Sequence, residues 1–114
     1  MPIDRDVSVP PVLSLSDEDL MDRVARDDEK AFTELVRRFQ GRVINLVSRV
    51  LNDRECADDL TQEVFLRVYC ARKSYEPGAK FSTWLYTIAN NVAANALRSR
   101  ARHPETTIQT SDSG

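Results

Sequence analysis

An asparagine amide carries a donor and an acceptor side by side, the pair that reads the edge of a nucleotide base. Asn90, Asn91 and Asn95 fall within six positions of one another in the C-terminal half of the chain. Asn91 and Asn95 are four apart and share a face if the segment is helical. Asparagine is a poor helix former, so the cluster costs stability relative to Ala or Leu and calls for a compensating role. Just upstream, Tyr75, Phe81 and Trp84 surround the turn signal Pro77-Gly78. Tyr75 is placed to act as an aromatic platform for an unstacked base. Glu76, Gly78, Ala79 and Lys80 then form a lip over a pocket floored by Asn91. Phe81 and Trp84 have the same stacking chemistry, but aromatic residues at the start of an amphipathic helix more often pack into a core. These parts suit a single-stranded or flipped base better than a duplex major groove, which calls for a helix-turn-helix pair.

Charge is distributed to match. The net charge is only −2, yet from residue 70 to 103 six bases (Arg72, Lys73, Lys80, Arg98, Arg100, Arg102) face one acid, Glu76. The first thirty residues carry nine acids against four bases. The positive field therefore coincides with the asparagine cluster, as on an anion-binding face. Arg98, Arg100 and Arg102 are spaced too loosely along the helix end to read one base together and are assigned to phosphates, as is Lys73.

Other chemistries find little support. Cys56 and Cys70 lie fourteen apart with no CxxC, and the one histidine is His103, so a zinc site of about four ligands is not expected. The two thiols are expected to be reduced and partly buried. There is no glycine-rich phosphate loop and no nucleophile beside the histidine, which argues against catalysis and against any cofactor. No run of 18 apolar residues occurs, and "MPIDRDVSVPPVLSLS" has acids where a signal peptide has a basic segment, so a cytoplasmic protein without membrane insertion is expected.

The elements that must position these residues are helical. With 114 residues and three glycines, and with apolar residues recurring at three and four, the chain predicts one all-α domain of about four helices between disordered termini. Residues 1–14 are expected to be disordered, 15–103 to form the domain, and 104–114 to be a linker or tail. Ser16 is a candidate N-cap for a helix to about residue 26, and Asp28 for a long helix to about 51. In "NDRE", Asn52 is the expected cap and Glu55 the residue that reaches back, opening a third helix to about 72. The fourth is expected over about 82–100, with Leu85, Ile88, Ala89, Val92, Ala96 and Leu97 turned inward and His103-Pro104 ending it. On the third helix Ala57, Leu60, Val64 and Val68 face in, while Asp58, Asp59, Gln62, Glu63 and Arg67 face out beside an exposed Phe65. That outer strip is also what an ordinary solvated helix face looks like.

The segment "DDLTQEVFLRVYCARKSYEPGAKFSTWLYTIANNVAANALRSR" resembles the second domain of bacterial sigma factors of the sigma-70 family, most closely the extracytoplasmic-function group. Upstream, "DEDLMDRVARDDEKAFTELVRRFQGRVINLVSRVL" is similar to the preceding helices of that domain, so the resemblance spans about residues 15–102. It implies a transcription initiation factor domain that binds the clamp helices of the RNA polymerase β′ subunit and recognises the −10 promoter element as melted non-template strand. Carried over by position, Asp58, Asp59, Gln62 and Glu63 would face the clamp helices. Tyr75, residues 76–80, Asn91 and Asn95 would form the pocket for a flipped base, with Arg67 and Ala71 close by. An anti-sigma factor would cover the same surfaces, and the free domain would be a monomer. Where primary sigma factors carry adjacent tryptophans as a melting wedge, this chain has Thr87 and Ile88, which weakens the expectation of unaided melting. Nothing matches the −35-reading domain of complete members, and the expectation is an excised domain. From another class, a helical adaptor that binds only protein is the alternative.

Overall fold

The structure, a computed structural model, describes residues 12–102. Four helices follow one another: α1 Asp17–Ala25, α2 Glu29–Leu51, α3 Ala57–Cys70 and α4 Phe81–Arg102. Single 3-10 turns at Val12–Ser14 and Arg72–Ser74 complete the described elements, none of which is a strand. The all-α domain of four helices is therefore present. No described helix is long and apolar enough to cross a membrane. Val12–Ser14 falls inside the stretch expected to be disordered, while residues 1–11 and 103–114, including His103-Pro104, lie outside the described residues.

The helix starts follow from short polar side chains. Ser16 Oγ accepts from the Asp19 amide at 3.0 Å, and Asp28 Oδ1 accepts from Lys30 and Ala31 at 3.0 and 3.2 Å. Each satisfies N–H groups that a first helical turn leaves without partners. The expected cap at Asn52 is wrong. Asn52 instead closes α2 in the left-handed region, at φ 54° and ψ 43°, a conformation that asparagine tolerates better than most residues. Asp53 Oδ1 accepts from Glu55 and Cys56 in the turn that follows, and α3 begins only at Ala57, with Cys56 as an N-cap that makes no side-chain cap bond, four positions later than an Asn52 cap implies.

α2 is the central member and packs against each of the other three helices, with α3 and α4 also touching. Its buried stripe of Ala31, Leu35, Phe39, Val43, Val47 and Leu51 keeps helical spacing for the whole length. Ala57, Ala89 and Ala93 are fully buried, small side chains that let the backbones of neighbouring helices approach closely. Two expectations about faces are corrected. Phe65 is buried at 6% exposure, not presented to solvent, and Leu66 beside it is the exposed one at 60%. At the ends, Val50 and Leu97 are exposed because the apolar stripes drift off the core as the helices outrun it.

Candidate nucleic-acid interface

Where α3 and α4 cross, Arg67, Cys70 and Ala71 face Ile88 and Asn91 across a pocket of about 350 Å³. Arg67, Ala71 and Asn91 were expected near one another from the sequence, and the crossing brings them together although α3 and α4 contribute them from separate segments. Asn91 is exposed, so its amide is available to a ligand. Ile88, expected to turn inward, is half-buried and forms a wall of the pocket. Arg67 is held along its own helix, its Nε donating to Glu63 Oε2 at 3.0 Å. Such an exposed pair at i,i+4 is worth only about 0.3–0.5 kcal/mol, which leaves the guanidinium free to exchange partners. Asn95 lies one turn beyond Asn91, exposed, with its side-chain oxygen accepting from Arg98. The two cysteines are free and exposed, where partial burial was expected.

The loop of residues 76–80 is fixed from inside. Tyr75, expected as an exposed platform, is instead buried at 6% exposure. Its ring meets Trp84 edge-on at 5.2 Å and Phe81 at 6.3 Å, and its hydroxyl donates to the Ala79 carbonyl across the loop. Burial, with the nearby carboxylates of Glu18, Asp22 and Asp17, pushes the Tyr75 phenol above its ordinary pKa. The aromatic cluster therefore anchors the loop. Within it the Ala79 amide donates to Glu76 O at 3.0 Å, and Gly78 supplies a φ of 90° that a residue with Cβ adopts only under strain. Glu76, Gly78 and Lys80 are left exposed at the tip, with Ala79 half-buried beneath them.

The basic residues divide. Arg98 is exposed. Arg100, assigned to phosphate from the sequence, is turned away from solvent to the end of α2: Nη1 donates to Leu51 O and Nη2 to Asp53 Oδ2, each at 3.1 Å. Its reach across the bundle fills a carbonyl that the last turn of α2 leaves unpaired. Lys73 donates from Nζ to Ala25 O at 2.7 Å, at the end of α1, although most of its side chain is in water. The side chain of Arg102 lies outside the described residues.

A second depression of about 830 Å³ runs between α2 and α3. Asp58 and Gln62 lie along it, facing an apolar wall built by Phe32, Val36 and Ile44 on α2 and by Leu66 on α3. The buried Thr61 hydroxyl on this groove finds no hydrogen-bond partner among the described residues. Asp59 is exposed on the adjoining surface, and Glu63 is occupied by Arg67.

The sigma-70 region 2 family matches residues 35–103, more than half of the chain. The chain belongs to this family. Among curated sigma factors, the RNA polymerase sigma-H factor of Pseudomonas aeruginosa is 40% identical over 88 residues, covering 77% of this chain and 46% of the relative. The ECF RNA polymerase sigma-E factor of Escherichia coli K12 is 42% identical over 90 residues, covering 79% and 47%. The chain thus spans about half the length of the curated relatives it matches. A solved structure of an engineered region 2 of sigmaE in complex with GTAAAA superposes with a TM-score of 0.73 at 44% identity, covering 77% of this chain and 92% of that one.

For a sigma-70 region 2 chain, the residues missed from sequence are Cys70 and Ile88 in the smaller pocket and the α2 side of the larger groove. Periodicity carried a signal for the groove. Phe32 and Val36 are four apart at the edge of the α2 stripe, where a residue serves the core and a surface at once.

Proposed function

We propose that this chain recognises the −10 promoter element as melted non-template strand and docks on the β′ clamp helices of bacterial RNA polymerase. The observation that carries it is the pocket at the α3–α4 crossing, where Asn91, Arg67 and Ala71 meet around a space large enough to admit a nucleotide base. In this reading Asn91 pairs with the edge of a flipped base, and Asn95 and the loop tip of Glu76, Gly78, Ala79 and Lys80 close around it. Arg98 meets phosphate. The basis for a DNA ligand is family membership together with a structural relative solved with GTAAAA. Clamp binding is assigned to Asp58, Asp59, Gln62 and Glu63, with the apolar wall of the larger groove as the surface that excludes water around them. Residues 15–103 serve as the binding domain and 104–114 as a linker. An anti-sigma factor covering both surfaces and a cytoplasmic location complete the proposal.

The test uses two titrations on the same protein. One compares a single strand selected by the chain with its scrambled version; the other uses an isolated β′ clamp-helix fragment. The double variant D59A/Q62A should keep the preference for the selected strand and lose about 1–2 kcal/mol or more against the clamp fragment. Full clamp affinity in the double variant would return the α3 strip to an ordinary solvated face. Equal affinity of the parent for both strands would remove base recognition.

A further inference from the structure

We propose that Glu18, on α1, is a positioning residue that sets the attitude of the loop of residues 76–80 and so tunes base discrimination at the Asn91 pocket. The proposal rests on the base-reading role given above to that pocket.

The loop is shaped by its own bonds, from Tyr75 to Ala79 and from Ala79 to Glu76, but those bonds travel with it. Its orientation toward Asn91 depends on how α4 begins. Phe81 is the first residue of that helix, and its amide is one of those a helix leaves without an internal partner. The acceptor comes from elsewhere in the fold: Glu18 Oε2 receives the Phe81 N–H at 2.8 Å, from 63 positions upstream. A carboxylate at this end of a helix is also favoured by the helix dipole.

The helix that carries Glu18 is itself anchored. Leu20, Met21 and Val24 of α1 are fully buried, and the neighbouring Asp17 accepts from Arg38 Nη1 at 2.9 Å. Arg38 is fixed in turn by Glu34 on α2. A chain of bonds thus runs from the central helix through α1 to the first amide of the helix that presents Asn91. The raised phenol of Tyr75 agrees with this placement, since Glu18 is among the carboxylates acting on it. Of the three carboxylates that act on the Tyr75 phenol, Glu18 alone bonds the backbone amide at the loop–helix junction.

The experiment measures, on the full chain, the ratio of affinities for the selected strand and for the same strand with the pocketed base replaced. E18A should lower that ratio by about fivefold, the low end of what one bidentate base contact discriminates. E18D keeps the charge but shortens the reach, and should lower it comparably. E18Q keeps the acceptor at full length and should restore most of the ratio. D22A, which removes a neighbouring carboxylate without touching Phe81, should leave it unchanged. If E18A fails to fold, E18D carries the comparison. A merely structural role would weaken both strands equally, leaving the ratio fixed, and that outcome overturns the proposal. So does a drop in E18Q equal to that in E18A. A parent with no preference between the strands overturns the base-reading role and the proposal with it, whereas a clear parental preference that E18A and E18D both keep overturns the proposal alone.

Discussion

Asn91 is exposed at a pocket while its helix neighbours Val92 and Ala93 are buried, so its amide can be removed without opening the core. Asn91→Ala should weaken binding of the preferred single strand by about 1–3 kcal/mol, the range for a bidentate base contact, and leave scrambled strands nearly unchanged. Parallel titrations of the two strands check this, and equal losses would take Asn91 out of base readout. Tyr75 behaves differently because its ring is core. Tyr75→Ala should destabilise the fold by about 3–5 kcal/mol, as large aromatic truncations do. Tyr75→Phe, which loses only the hydroxyl bond to Ala79, should cost about 0.5–1.5 kcal/mol in a denaturant titration. If Tyr75→Ala left stability intact and weakened only strand binding, the exposed-platform role expected from the sequence would be restored.

At the scale of the elements, the arginines near the end of α4 separate by what they touch. Arg98→Ala should reduce the salt slope of single-strand binding by about 0.7, the value for one phosphate contact. Arg100→Ala should leave the slope alone and lower thermal stability, because it removes the bonds that tie α4 to Leu51 at the end of α2 and to Asp53 and Cys56 in the turn beyond it. A changed slope for Arg100→Ala would mean that it leaves Leu51 for DNA. This contrast also shows what the sequence could convey. Helix number and the central stripe of α2 were legible because burial imposes a period of 3.6 residues over six turns, far above the noise of single positions. Asn52 was misread because asparagine suits both an N-cap and a left-handed C-terminus, and the long helix before it takes it as its left-handed end while Asp53 organises the turn that follows. Asn91, Arg67 and Ala71 were expected together through the family resemblance. Arg100 and Tyr75 were misplaced because their partners, Leu51 O and the Trp84 ring, become neighbours only when the helices pack.

Across the whole molecule, one buried carboxylate links three segments. Glu34 on α2 is 5% exposed and accepts from Arg37 at 2.9 and 2.7 Å and from Arg38 at 2.8 Å. Arg38 continues to Asp17 on α1 and to the Leu13 carbonyl in the first 3-10 turn. The hydrogen bonds from Arg37, then those from Arg38, hold the Glu34 carboxyl at about 2, against an ordinary 4.5. The folded state therefore binds this proton less readily than the unfolded chain does. Its contribution to stability is fully present above pH 4.5 and is lost progressively as the pH falls toward 2. Asp27 and Asp53 are also held below the ordinary carboxylate range, by Arg72 and by hydrogen bonds from Cys56, so acid should destabilise the parent through several groups at once. Glu34→Gln isolates one of them. It keeps a neutral acceptor beside two guanidinium groups but loses the charge, so the variant should melt below the parent at pH 7. The gap in melting temperature should stay constant down to about pH 5 and then narrow toward pH 2, as the parent's own Glu34 takes up its proton. The measurement is a series of thermal melts of both proteins between pH 7 and 2. A gap that does not change with pH would mean that Gln disturbs packing and that the charge of Glu34 contributes nothing. A gap that widens as the pH falls would reverse the sign of the linkage and place the folded-state titration of Glu34 above that of the unfolded chain.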